Sequence, residues 1–379
     1  MRQLESAARP LIRRPSADTF SRKGRRGANQ LRQTLDRTYC AALTPFSGIA
    51  LKEGLFRIGG IGETYVAKFR LVTRSDFDGL VCGVLLKELD LIDEIAFVHP
   101  KDMQDGKIAV SARDITTNLP YAPGCHLAFD HHSSESERAG EAKPANHILD
   151  PEARSAARVV YRHFGGKPRF PRVGDDIMEA VDKADSAQFD RDEVLHPKGW
   201  ALLNFLMDSR TGLGRFRQFR ISNYDLMMQL IDRCRTQSVE EILVSPDVAE
   251  RVELYRRHET QFRDQLSRCS RLHGDVVVLD LRKEETIYAG NRFMIYALFP
   301  AARVSMHVLW GLKQQNTVFA IGKSIFDRTS PADVGALCLK YGGGGHMAAG
   351  TCQVANARAE EVKAELIAKL THTDGRKAA

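Results

Sequence analysis

The stretch Lys68-Phe69-Arg70-Leu71-Val72-Thr73-Arg74-Ser75-Asp76-Phe77-Asp78-Gly79-Leu80-Val81-Cys82-Gly83-Val84-Leu85-Leu86-Lys87-Glu88-Leu89 changes its periodicity halfway along. Residues 68–73 have the length and apolar content of a strand. Beyond them Leu80, Val81, Val84, Leu85 and Leu89 recur on one face at the helical spacing, with Gly79 at the entrance. A strand running directly into a helix is the first half of a strand-helix-strand unit, so an α/β fold on a parallel sheet is predicted.

The same alternation continues downstream. Strands are predicted at residues 94–98, 107–112, 125–129 and 147–149, with a helix starting near Pro151, where proline suits a first helical turn, and another over 175–187. From about 200 to 272 the pattern is helical almost throughout and rich in charge. After Gly274 it changes back, with strands at 276–281, 292–298, 304–309 and 318–321, then a helix over 332–339, four consecutive glycines, and an amphipathic segment over 357–370. The predicted organisation is a basic N-terminal extension (1–65), a parallel-sheet domain (66–200), a helical connector (201–272) and a smaller mixed α/β domain (273–379).

A chain of 379 residues with 43% hydrophobic and 27% charged residues has the balance of a folded protein, which excludes collagen-like and disordered classes. The net charge of +7 is localised. Residues 1–40 hold ten Arg or Lys against three Asp or Glu, and the remaining 339 residues hold 45 of each sign. The body is therefore neutral, which argues against a long nucleic-acid track, and the tail is read as solvated and unstructured. Seven cysteines without zinc-like spacing fit a reducing cytosol. No apolar run approaches the roughly 18 to 20 residues of a membrane span, so a cytoplasmic protein without a membrane partner is expected.

The chemistry lies at the ends of the strands. Asp76 and Asp78, then Asp114, then Asp130, His131 and His132 each come directly after a predicted strand, where ligands bind in open α/β sheets. Converging carboxylates repel one another unless a cation lies between them, and Asp oxygens with one or two imidazoles suit Mn²⁺ or Mg²⁺. Asp182 and Asp185 share a helix face, and Asp185, just before the helix end, is preferred to complete the set. Two ions sharing Asp114 would serve phosphoester or phosphoanhydride hydrolysis. In the second domain Gly342, Gly343, Gly344 and Gly345 leave room for backbone N–H groups to converge on an anion, with His346 as a further donor. Lys323 and Arg328 are expected to add positive charge.

These segments, Thr73-Arg74-Ser75-Asp76-Phe77-Asp78-Gly79, Arg113-Asp114-Ile115, Asp130-His131-His132, Ala184-Asp185-Ser186 and Gly342 to His346, resemble the DHH phosphoesterase superfamily with its C-terminal DHH-associated domain. The resemblance covers about residues 66–370. It implies that Asp76 and Asp114 hold one Mn²⁺ and that Asp78, Asp114, His131 and Asp185 hold a second. It also implies that His132 faces the scissile phosphate and that Asp130 orients the histidines. Many relatives carry His or Asp two residues before the first motif acid. This chain has Arg74, which has no lone pair for a cation and is left to contact phosphate.

The expectation is a Mn²⁺-dependent phosphohydrolase acting on terminal phosphoanhydride or phosphodiester bonds of a short phosphorylated substrate, exopolyphosphatase-like. The alternatives are a phosphodiesterase of short oligonucleotides or nucleotides, and, because of Arg74, a nucleotide-binding regulator without turnover.

Overall fold

The computed structural model describes residues 68–132 and 144–371; the basic extension expected at 1–65 lies outside the described residues. Strand β1 (Phe69–Arg74) leads through Asp76, which caps α1 (Phe77–Glu88) by accepting the Gly79 N–H. Gly79 has no substitute here: a Cβ would lie 2.0 Å from the Arg74 carbonyl oxygen. Then come β2 (Ile92–Val98), α2 (Pro100–Gln104), β3 (Asp114–Thr117), β4 (Leu127–Asp130) and β5 (His147–Leu149). All five strands pair in parallel, in the order β2-β1-β3-β4-β5.

Successive residues of a strand face opposite sides of the sheet. Leu71 accordingly joins the large core that contains α1, and Val72 the small cluster with Met103 and Leu119. The expected one-sided helix α1 is in fact buried from Phe77 to Leu86. It packs against α3 (Ala156–His163) and α4 (Asp175–Asp185), and α7 (Asn223–Arg233) closes over it.

Three sequence assignments shift. Residues 107–112 form no strand: Ile108 and Val110 pack onto the Val72 cluster from an irregular segment, and the pairing strand starts only at Asp114. The helix expected near Pro151 begins at Ala156, where Ser155 supplies the cap. The apolar run 292–298 contains the short helix α10 (Met294–Leu298) and no strand; apolar runs of this length fit either state.

The segment read as a connector carries α5 (Arg191–Leu195), α6 (Gly199–Met207), α7, α8 (Val239–Leu243) and α9 (Pro246–Cys269). Its Leu202, Leu203, Leu206, Leu226, Leu230 and Ile231 belong to the same core as Leu71, so these helices are part of the first body. The second sheet starts slightly before the expected boundary. It consists of β6 (Ser270–His273), β7 (Val276–Asp280), β8 (Val304–Trp310), β9 (Thr317–Lys323), β10 (Gly344–His346) and β11 (Ala349–Val354), in the order β10-β11-β9-β8-β7-β6. Only β7 and β8 pair in parallel. Helices α11 (Val334–Leu339) and α12 (Ala359–Leu370) share its core with Val276 and Val304. The alternate residues Val277 and Leu279 meet Phe189, Phe205 and Phe262, which joins this sheet to the helices of the first body. No helix of the described residues is long and apolar enough to cross a membrane.

Candidate metal centre

The strand order reverses between β1 and β3, since β2 lies on one side of β1 and β3 on the other. A parallel sheet opens a crevice there, outside the carboxyl ends of its strands. Asp76 leaves β1, Asn118 leaves β3, and Asp130, His131 and His132 leave β4.

Asp78 is buried at the first turn of α1, and its two oxygens accept the N–H groups of Ala157 (2.8 Å) and Ala156 (2.9 Å) at the start of α3. A helix N-terminus favours a carboxylate. Burial and the charge of Asp185 nevertheless raise its pKa, against the pull of His131. His131 sets its Nδ1 against the Ala153 carbonyl (3.3 Å), which turns Nε2 toward Asp185 Oδ2 at 2.9 Å. Burial works against its charged form, but Asp185, Asp78 and Asp130 prevail and raise its pKa to about 9. Asp185, the last residue of α4, would be raised by burial, but the contact with His131 brings it below the usual carboxylate range.

Asp182, one turn earlier on α4, faces elsewhere. It accepts from Ser155 Oγ (2.7 Å) and Arg158 Nε (2.8 Å) and steadies the start of α3. Asp130 Oδ1 accepts the His131 N–H (2.8 Å) and meets His132 Nδ1 (2.7 Å). His132 is thereby oriented; burial would lower its pKa, and the Asp130 contact raises it.

Asp114, expected to bridge two ions, is not in this crevice. It opens β3 instead of following it, pairs with Arg70 Nε at 2.6 Å and accepts the Ser111 N–H at 2.6 Å. Arg70 and Asp114 sit opposite each other at the amino ends of β1 and β3. The residue that reaches the carboxyl end of β3 is Asn118, whose Nδ2 lies 3.2 and 3.4 Å from the two Asp76 oxygens. Arg74 Nε lies 2.9 Å from Asp76 Oδ2. Burial still raises the Asp76 pKa, with Arg74 opposing it.

The glycine run is more structured than an open anion loop. Gly344, Gly345 and His346 form β10, antiparallel to β11, and Gly345 has a φ of +155° with no room for a Cβ, which would lie 2.2 Å from the Ala349 carbonyl oxygen. His346 ends β10 with its side chain largely exposed; desolvation by the surrounding protein, followed by the charges of His132, Arg74 and Arg210, pushes its pKa down. Arg328 gives its guanidinium to the carbonyls of Ser186 (3.1 Å) and Ala187 (2.8 Å), directly after Asp185, and so fastens the second sheet to α4. Lys323 ends β9, its backbone N–H bonded to the Ala348 carbonyl.

Three further charged residues line the crevice with Asp76, Asp78 and Asp185: Asp208, Arg210 and Arg292. Asp208 accepts from Arg210 Nε (2.7 Å) and Arg292 Nε (3.2 Å). Burial alone would raise its pKa, and the two guanidinium groups hold it down at about 2. Nothing in the spacing of these residues announces them, because Arg292 lies more than eighty positions from Asp208.

Ligand atoms of Asp78, His131 and Asp185 lie within 4.8 Å of one another, two carboxylates and an imidazole, a donor set suited to Mn²⁺ or Mg²⁺. His131 Nε2 is buried and, despite its closeness to Asp185, makes no aligned hydrogen bond. Two ligands converging on one ion leave that arrangement, so the residues fit the metal.

A five-stranded parallel sheet, a six-stranded mixed sheet and a group of Asp78, His131 and Asp185 able to hold a divalent ion fit a phosphoesterase of the DHH class, and the chain belongs to the DHH superfamily. It is a metal-dependent phosphoesterase. Among solved structures it is similar to the pGpG-specific phosphodiesterase PggH from Vibrio cholerae, with 61% identity and a TM-score of 0.70 over 80% of this chain and 99% of that one. RecJ from Thermus thermophilus in complex with Mn²⁺ shares 15% identity over 79% of this chain and 51% of its own, with a TM-score of 0.43. CDC45 from Entamoeba histolytica shares 9% over 80% and 96%, with a TM-score of 0.44. No protein-family model and no curated protein matches the sequence.

Proposed function

We propose that this chain hydrolyses the phosphodiester bond of short 5′-phosphorylated dinucleotides, with pGpG as the leading substrate and two nucleoside monophosphates as products. The observation that carries the reading is the 61% identity to a pGpG-specific phosphodiesterase over 99% of that protein's length. The clustering of Asp78, His131 and Asp185 supports it. The sequence-level preference for a polyphosphate end accordingly gives way to its alternative, a short oligonucleotide.

Asp78, His131 and Asp185 would hold a divalent ion, which would supply Lewis acidity toward the phosphoryl oxygens. The protein's own groups do the remainder. Asp130 holds Nδ1 of His132, which leaves Nε2 to carry the proton offered to the oxygen that leaves the scissile phosphorus. Arg74, beside Asp76, and Arg210, which lines the crevice, meet the substrate's phosphate charge, with His346 as a further donor. Addition of one water across the bond leaves a 5′-phosphate on one product and a free 3′-hydroxyl on the other.

The test is product analysis with purified protein and Mn²⁺ on pGpG, a longer oligonucleotide and polyphosphate. GMP released from pGpG is the expected result, and His132→Gln is expected to lower kcat by roughly 10²- to 10⁴-fold with the circular dichroism unchanged. Phosphate released from polyphosphate, with pGpG left intact, overturns the reading.

A further inference from the structure

Asp76 is the first acid of its motif and stands at the switch point of the sheet, yet its carboxylate is already occupied from within the protein. Oδ1 accepts the Gly79 N–H at 3.0 Å, Arg74 Nε lies 2.9 Å from Oδ2, and the Asn118 amide nitrogen lies 3.2 and 3.4 Å from the two oxygens. Every one of these neighbours is a donor. A second cation beside Asp76 would need further lone pairs, and the groups present do not supply them. Arg74 has none and is permanently positive, and Asp114 is engaged with Arg70 at the other end of β3. Turning the Asn118 amide would offer its oxygen, which is otherwise buried without a partner. A cation placed there would still lie against the fixed guanidinium of Arg74. By contrast, Asp78, His131 and Asp185 converge with no cationic side chain among them except His131 itself, which loses its proton when it ligates.

We propose that the centre holds a single divalent ion and that the Arg74 guanidinium stands where a second ion would otherwise sit, presenting its positive charge to a non-bridging oxygen of the scissile phosphate. The Nε edge of Arg74 is paired with Asp76, the side chain is 37% exposed, and no other ion pair engages its guanidinium among the described residues. That leaves the outer N–H groups for substrate. The proposal rests on the phosphodiesterase reading above, and it concerns how many ions that chemistry uses here.

The experiment strips the full-length protein with a chelator, reloads it with Mn²⁺, and counts manganese per chain by elemental analysis beside low-temperature electron paramagnetic resonance. One ion per chain with the spectrum of an isolated Mn²⁺ is expected. The double variant Arg74→His with Asn118→Asp is expected to take up a second ion and show an exchange-coupled spectrum. Arg74→Gln is expected to keep one ion and lose about 100-fold in kcat on pGpG. Two coupled ions in the wild type overturn the proposal and leave the phosphodiesterase reading standing, whereas no bound ion overturns both. A double variant that folds, by circular dichroism, and still binds one ion shows that Arg74 is not what excludes the second and overturns the substitution of charge. Unchanged kcat in Arg74→Gln does the same.

Discussion

Asp78 and Asp114 are both buried acids close to a strand of the parallel sheet, and the difference between them is what each is bound to. Asp78 takes two backbone N–H groups and keeps lone pairs directed at His131 and Asp185. Asp114 is closed by Arg70 and by the backbone and hydroxyl of Ser111. Burial would raise its pKa, yet these contacts lower it. Asp114→Asn is therefore expected to leave Mn²⁺ binding unchanged and to cost on the order of 2 kcal/mol of stability, because a half-buried guanidinium loses its charged partner. Asp78→Asn is expected to abolish binding with a smaller effect on the denaturation midpoint. A Mn²⁺ titration and urea unfolding of both variants check the pair of outcomes. Asp78, Asp130, His131 and His132 are legible in the sequence because each lies at or close behind the end of its strand, so local order fixes their end of the sheet. Asn118 is not legible: an amide gives no metal signal, and the apolar pattern before it places the strand seven residues too early.

Helix α3 shows how a short element serves the centre without touching substrate. Ser155 caps it by accepting the Arg158 N–H at 3.0 Å and donates its hydroxyl to Asp182. The cap holds the first turn in place, and the N–H groups of that turn hold Asp78. Ser155→Ala is expected to cost about 2 kcal/mol, the sum of a lost cap and an orphaned hydrogen bond on a buried carboxylate. It should also weaken Mn²⁺ binding about tenfold, since groups that orient metal ligands carry effects of that size. Calorimetric titration with Mn²⁺ and a thermal midpoint measure the two effects separately. Pro151 conceals the cap, because it marks a turn and not a first helical residue, so the expected helix start falls five residues short of Ala156.

Across the whole molecule, the parallel sheet and the mixed sheet are joined by aromatic packing around Phe189, Phe205 and Phe293 and by the ionic knot of Asp208 with Arg210 and Arg292. Asp208 follows α6 of the first body, and Arg292 precedes α10 beside the second sheet. The knot therefore fixes the two halves of the crevice against each other. Its pH dependence has a definite sign. The Asp208 pKa is about 2 in the folded chain against an ordinary 3.8, so the acid binds its proton more weakly when folded. Its stabilisation, on the order of 2 kcal/mol, is complete above about pH 5 and is lost as the pH falls toward 2. Asp208→Asn should thus be less stable than the wild type at pH 7, with the gap narrowing between pH 5 and pH 3 in urea denaturation. A gap independent of pH would contradict the ionic origin.

The change from strand to helical periodicity around Asp76, the Asp130-His131-His132 run and the four glycines are local patterns, and local patterns suffice for the α/β class, the two sheets and the residues of the proposed metal centre at Asp78, His131 and Asp185. Pairing register is a different kind of quantity. Backbone hydrogen bonds between distant strands and the packing of side chains such as Ile108 and Val110 decide where β3 begins. Four residues of strand span roughly 13 Å, which is the difference between an acid that bridges ions and one that is tied to Arg70 at the far end of the sheet. The same holds for Asp208, Arg210 and Arg292: only the folded chain brings these charges to the crevice, because the free energy that places them comes from long-range packing, which leaves no periodic trace in the sequence.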